Sequence, residues 1–156
     1  MRIRLMAVGT KMPNWVTEGY SEYAQRMPAE CRLELNEFEL PKRGKNPDIA
    51  RLMTQEAQMI ESAIKSNERL VALDVLGKAW STEQLAKQMQ HWLQDGRDIA
   101  LIIGGPDGIS PELLQKCEQR WSLSALTMPH PLVRIVVAES LYRAHSILIN
   151  HPYHRA

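Results

Sequence analysis

The sequence predicts an α/β protein in which a parallel-type sheet is flanked by helices. Short runs rich in Val, Ile and Leu alternate with longer segments of helical period, which is the pattern of βα units. Two of the apolar runs end in glycine-containing turns, and open α/β sheets bind ligands at such strand ends. No linker, internal repeat or low-complexity segment divides the chain, so we expect one domain over residues 1–156.

Five strands are predicted from short aliphatic runs bounded by turn residues. They cover residues 3–8, 33–39, 70–74, 99–103 and 123–128. Helical segments lie between them at residues 15–27, 47–65, 82–94 and 111–119. Because a helix separates successive strands, we expect the strands to pair in parallel.

Three of these helices carry start signals. Asn46 and Ser110 each place a capping side chain before a proline at the first helical position. Ser81 and Gln84 have the spacing of a capping box. These signals predict where the second, third and fourth helices begin.

The last and longest helix is predicted over residues 132–150. Its polar strip is narrow and consists of Arg134, Glu139, Arg143 and Ser146. A helix with so little polar surface needs two packing partners. We expect one face to pack on the sheet and the other to form a large exposed patch unless a second subunit covers it.

Charge and composition exclude several classes of protein. Nineteen Lys and Arg against eighteen Asp and Glu give a formal charge of +1, which excludes a broadly basic protein that coats nucleic acid. Any polyanion must therefore bind at a local basic patch. No apolar run approaches the roughly 18 to 20 residues of a membrane span, and no signal peptide is recognisable. Cys31 and Cys117 belong to no CxxC pair, which argues against a disulfide framework or a zinc ribbon. We therefore expect a cytoplasmic protein with no membrane partner.

The most informative segment is residues 101–110, where a buried strand runs into Gly104-Gly105-Pro106-Asp107-Gly108 and then into a capped helix. A tight turn alone would explain this pattern, since Pro-Asp-Gly is common turn chemistry. The functional interpretation is that Gly104 and Gly105 let the backbone approach a ligand. The GxGxxG and GxxxxGK[ST] motifs are both missing from the chain, so no dinucleotide or triphosphate fingerprint is present.

Two further segments resemble this strand end. Residues 122–131 begin like a strand and are then broken by two prolines, and residues 70–74 are followed by Gly77 and Lys78. Three such ends at one edge of a parallel sheet form a pocket rich in backbone N–H and C=O groups and without a charged cradle. That pocket suits an adenosine-type ligand better than a triphosphate.

Long motifs make the sequence recognisable. LIIGGPDG, SLSALTMPHPLVRIVVAESLYRA, NHPYHR, AVGTKMPNWV and PKRGKN closely resemble the SPOUT superfamily of knotted methyltransferases. Within that superfamily, the resemblance is to bacterial enzymes that methylate N3 of a pseudouridine in 23S ribosomal RNA in the ribosome. It implies a C-terminal trefoil knot, a homodimer and bound S-adenosylmethionine with no metal. The cofactor-binding residues it implies are Leu73, Gly104, Gly105, Ser124, Ala125, Leu126, Thr127, Met128 and Pro129.

The C-terminal tail and a basic loop are the candidate RNA-facing segments. Tyr153 can stack on a base, Arg155 can face phosphate or a ring carbonyl, and His154 can accept a proton, which makes these three the candidate catalytic residues. One alternative interpretation of the tail is a frayed terminus. Another is a zinc site formed by the histidines at 145, 151 and 154, although a fourth zinc ligand is not evident. For phosphate contact the candidates are Lys42, Arg43, Lys45 and Arg143, with a solvated basic loop as the alternative.

Three other functions stay open at this stage. One is a SPOUT methyltransferase that acts on another RNA nucleotide, and a second is a non-catalytic RNA-binding module. The third, a nucleotide-binding α/β domain without RNA, is disfavoured because phosphate-binding motifs are missing.

Overall fold

Five strands pair in parallel into one sheet in the computed structural model, which describes residues 1–155. Residue 156, the last of the predicted domain, lies outside the described residues. The strands are β1 (Arg2–Val8), β2 (Arg32–Phe38), β3 (Arg69–Ala79), β4 (Ile99–Ile103) and β5 (Gln119–Ser122). Their spatial order is β2-β1-β4-β3-β5, so the predicted α/β class is confirmed.

Helices cover both faces of the sheet. They are α1 (Asn14–Ala24), α2 (Ile49–Ala63), α3 (Thr82–Asp95), α4 (Pro111–Lys116) and α5 (His130–Leu148). Side chains alternate between the faces of a strand, so β1 contributes Ile3 and Leu5 to the core beneath α1, α3 and α5. It contributes Met6 and Val8 to the core beneath α2 and α4. Burial on both faces is typical of a parallel sheet.

Two of the three predicted helix starts are confirmed. Ser81 and Gln84 form a capping box at α3, and Ser110 accepts a hydrogen bond from the Leu113 N–H at α4. The prediction of Asn46 at the start of α2 was wrong. Asp48 caps that helix because its carboxylate accepts the Arg51 N–H, three residues further on.

The prediction of a strand at residues 123–128 was also wrong, because β5 ends at Ser122. Ser122 pairs with Ala79, the last residue of β3, so the following residues have no strand left to pair with. They form local turns instead, in which the Ser124 hydroxyl accepts the Leu126 N–H at 3.0 Å. The segment is therefore a loop at the carboxyl end of β5.

An irregularity in β3 shapes the same edge of the sheet. Leu73 and Lys78 both pair with Trp121, so the four intervening residues, 74–77, form a bulge in which no residue is paired with β5. A Cβ atom on Gly77 would lie 2.7 Å from the Arg120 carbonyl oxygen. Only glycine allows the two backbones to approach this closely.

The predicted polar strip of α5 is partly buried. Arg134 is 1% exposed and donates hydrogen bonds to the Glu37 carboxylate at 2.5 Å and the Gly9 carbonyl at 2.9 Å. Ser146 is also buried and donates to the Arg143 carbonyl oxygen. These bonds satisfy all of these buried groups except Arg134 Nε, which has no hydrogen-bond partner among residues 1–155, and α5 packs between α1 and α3 although its sequence carries arginine there. None of the helices within residues 1–155 is long and apolar enough to span a membrane.

We predict that Gly77→Ala destabilises the fold by about 2 kcal/mol, because the added Cβ overpacks against the backbone of β5. Gly44→Ala is the matched control, since a Cβ at Gly44 meets nothing within 4 Å. Urea unfolding of both variants measures the free energies of unfolding. Equal stability of the two variants would contradict the close approach of β3 and β5.

Candidate active site

A cleft of about 970 Å³ opens at the carboxyl edge of the sheet, at the ends of β4 and β5 and at the bulge in β3. The structure brings together the strand ends that the sequence placed at one edge. All predicted cofactor-binding residues except Ala125 line the cleft, namely Leu73, Gly104, Gly105, Ser124, Leu126, Thr127, Met128 and Pro129. Ala125 is exposed and is not among the lining residues.

The glycine turn, which comprises residues 104–108, forms one wall of the cleft. The Gly108 N–H donates to the Gly105 carbonyl at 3.0 Å, and Gly108 has a φ of 85°. A Cβ on Gly104 would lie 2.6 Å from the Gly108 carbonyl carbon. The turn therefore closes on itself and presents backbone rather than side chains to the cleft.

Gly105 makes room for a buried carboxyl group rather than only for a ligand. A Cβ on Gly105 would lie 2.1 Å from Glu56 Oε1, on α2. Glu56 is 3% exposed, and neither carboxyl oxygen has a hydrogen-bond partner among the described residues. Burial raises the pKa of Glu56, an effect that Arg43 opposes and Asp107 reinforces. A carboxyl group thus supports the glycine turn from α2.

Sequence reasoning missed the contribution of the first strand end. Val8, Gly9, Thr10, Lys11 and Met12 line the cleft because β1 is the neighbour of β4. Gly9 has a φ of 120° and Lys11 a φ of 57°, so the chain turns sharply directly after β1. A glycine directly after the first predicted strand was the available signal.

His130 is a further cleft residue that the sequence analysis did not select. Burial lowers its pKa to about 4, and the neighbouring Arg134 acts in the same direction. The imidazole is therefore neutral near pH 7, and its buried Nε2 atom has no hydrogen-bond partner within residues 1–155. The cleft wall at the start of α5 is uncharged at this position.

The tail lies at the other end of α5. Tyr153 packs on Tyr142 with ring centroids 4.6 Å apart, and its hydroxyl donates to Glu139 at 3.0 Å. Burial and this hydrogen bond raise the pKa of Tyr153 to about 12. The cleft touches the start of α5, whose 19 residues span roughly 28 Å. Tyr153, His154 and Arg155 are therefore not cleft-lining residues in the same subunit.

The four predicted phosphate-contacting residues fall into two groups. Lys42 and Lys45 are exposed, whereas Arg43 forms an ion pair with Asp107 of the glycine turn. Arg143 pairs with Glu139 at 2.6 Å and lies over the Tyr153 ring, 4.8 Å from its centroid. Arg43 and Arg143 thus have partners within the chain.

The histidines weighed as zinc ligands do not form a metal site. His145 is buried, with Nε2 3.8 Å from Glu30, and His151 accepts the Tyr153 N–H. Across residues 1–155, the structure has no group of three or more His, Cys, Asp or Glu residues arranged to hold a metal ion. The two cysteines are free.

We predict that Glu56→Gln makes stability less sensitive to rising pH. The pKa of Glu56 is higher in the folded state than in the unfolded state. Its contribution to the free energy of unfolding is therefore fully present below its unfolded pKa and is lost as pH rises through its folded pKa. The difference in unfolding free energy between variant and parent should therefore grow in the variant's favour from about pH 4.5 upwards. Urea unfolding across a pH series measures this difference, and a constant difference would contradict a raised pKa of the buried Glu56 carboxyl group.

Comparison with known proteins identifies the family of the chain. A family model described as "Predicted SPOUT methyltransferase" matches residues 1–154. Proteins named ribosomal RNA large subunit methyltransferase H from Pseudomonas putida F1 and Chromohalobacter salexigens are each 55% identical over 155 residues, covering 99% of this chain and 100% of theirs. A Legionella pneumophila protein solved with its bound cofactor SAM has a TM-score of 0.48 and 16% identity, over 92% of this chain and 66% of that chain. The family match over nearly the whole chain shows that it belongs to the SPOUT methyltransferases.

Proposed function

We propose that this protein transfers a methyl group from S-adenosylmethionine to N3 of a pseudouridine in 23S ribosomal RNA within the assembled ribosome. The observation that carries the proposal is the cleft, which gathers all but one of the cofactor residues implied by the sequence motifs. The names of the 55% identical relatives support a large-subunit ribosomal RNA substrate. Such a reaction places the protein in the bacterial cytoplasm.

The cleft fits an adenosine-type cofactor. Its volume suits a ligand of this size, and its walls combine apolar side chains such as Leu73 and Met128 with the backbone of Gly104 and Gly105. S-adenosylmethionine supplies an already activated methyl group, so the protein's main task is to position the reactants and exclude water. The C-terminal trefoil knot implied by the resemblance remains a prediction.

The tail residues supply the chemistry on the RNA side in this proposal. N3 of the base is a weak acid that is largely protonated at neutral pH, so its proton must be accepted or its anion stabilised. Arg155 is exposed and can face the ring carbonyls, while His154 or water accepts the proton. Tyr153 provides an aromatic surface for the base.

A homodimer places the tail and the cleft of different subunits together. Within one subunit they lie at opposite ends of α5, so the tail must serve a neighbouring cleft. The cleft rim carries Leu126 at 76% exposure, and Leu76, at 89% exposure, belongs to the β3 bulge. Apolar side chains this exposed favour coverage by a second copy, and a two-fold axis would bring each tail to the partner's cleft.

The reaction is tested with ribosomes that lack the modification. Incubation with the protein and labelled S-adenosylmethionine should introduce methyl label at N3 of a pseudouridine in 23S ribosomal RNA, identified by mass spectrometry of the isolated nucleosides. Free ribosomal RNA should be a poor substrate. Label on a different nucleotide would assign another SPOUT specificity, and ribosome binding without cofactor binding would indicate a non-catalytic RNA-binding module.

We predict that two inactive variants complement each other. Thr127→Trp fills the cleft from an exposed position, and deletion of residues 153–156 removes the tail, so neither homodimer should methylate ribosomes. Mixed subunits should recover about a quarter of parental activity, because half of the dimers are mixed and each has one complete site. No recovery, with mixed dimers verified by native mass spectrometry, would contradict the shared site.

We predict that Lys42 and Lys45 contribute through phosphate contacts. Replacing both with Ala should weaken binding to ribosomes and lower the slope of log affinity against log salt by about 1.4, or about 0.7 for each contact on single-stranded RNA. Affinity for S-adenosylmethionine should not change. A salt slope equal to that of the parent would mean that the loop is only a solvated surface.

A further inference from the structure

One side chain of the basic loop, defined here as residues 41–47, reaches the wall of the cleft. The guanidinium of Arg43 forms an ion pair with Asp107, in the glycine turn. The two side chains are 29% and 26% exposed, so solvent and salt screen this pair less than a fully exposed one. Lys42, its direct neighbour, is exposed and forms no ion pair with an acidic side chain of residues 1–155.

A second carboxyl group approaches the same turn from α2. Glu56 is buried against Gly105, with both oxygens unpartnered within the described chain. Asp107 disfavours the ionised form of Glu56, while Arg43 and the Gly105 backbone favour it. The glycine turn thus contains one carboxyl group, Asp107, and lies against a second, Glu56. The two groups repel each other when both are ionised, and Arg43 interacts favourably with both.

We propose that Arg43 is a positioning residue for cofactor binding, because its ion pair with Asp107 holds the glycine turn in the shape that forms the cleft wall and offsets the repulsion between Asp107 and Glu56. This inference rests on the proposed function for the identity of the cofactor. It distinguishes Arg43 from Lys42 and Lys45, whose contribution is confined to RNA. From sequence alone, the three cations of the basic loop are equivalent candidates for phosphate contact.

The first test is calorimetric titration of the full-length protein with S-adenosylmethionine. Arg43→Ala should bind about tenfold more weakly, which corresponds to about 1.4 kcal/mol. Lys42→Ala, the matched control that also removes one positive charge from the basic loop, should bind S-adenosylmethionine like the parent. Adding Asp107→Asn to Arg43→Ala should recover part of the loss, because it removes one of the two repelling carboxylates.

The pH dependence separates this role from a merely structural one. Glu56 is faced by Arg43, by Asp107 and by the backbone of Gly105. Without Arg43, protonation of Glu56 relieves its repulsion with Asp107, so Arg43→Ala should gain affinity relative to the parent as pH falls. Arg43→Ala combined with Glu56→Gln should lose most of that gain.

A second measurement needs no ligand. Arg43→Ala should speed amide hydrogen exchange in residues 104–108 of the free protein, and Lys42→Ala should not. Unchanged exchange, or an affinity loss in Arg43→Ala that is equal at every pH, overturns the role of Arg43. Failure of the parent itself to bind S-adenosylmethionine overturns the proposed function instead, while the exchange result still decides the role of Arg43 in holding the turn.

Discussion

Parallel pairing of β3 with both β4 and β5 is the constraint on which the site depends. Parallel strands end at the same edge of a sheet, so the loops that follow them must meet there. The sheet is buried on both faces, so this edge is a surface where backbone groups can meet a ligand. The bulge at residues 74–77 and the close approach at Gly77 then set how far the β3 and β5 loops stand apart.

The glycines of this edge serve different physical needs. Gly104 lets the turn close on Gly108, and Gly105 leaves space for the carboxyl group of Glu56. A buried, unpartnered carboxyl group is unfavourable for stability, and perturbed groups of this kind concentrate at functional sites. Its position between α2 and the turn connects the cleft wall to the charges of the neighbouring basic loop.

Strand and helix types were predictable because local patterns decide them. The Ser81 capping box and the Ser110 cap depend on residues three positions apart, and both are visible in the sequence. The extent of β5 was not predictable, because it depends on where its partner β3 ends. The burial of Arg134 was equally hidden, since its partners Glu37 and Gly9 are distant in sequence.

Eight of the nine residues that the motifs predict to bind a cofactor line the cleft, whereas the surroundings of the cleft could not be predicted. The sequence was enough to place three strand ends at one edge of the sheet. The contributions of β1, His130 and Glu56 to the cleft could be recognised only from the strand order and from the packing of α2. The separation of the tail from the cleft likewise follows from the length of α5. That separation is the reason we propose that two subunits complete the site.

The most direct test of the account is a titration of the purified protein with S-adenosylmethionine while backbone amide signals are followed by NMR. The account predicts saturable binding with shifts at the ends of β1, β3, β4 and β5 and in residues 104–108. Binding without shifts at this edge, or no binding by the folded protein, would contradict it.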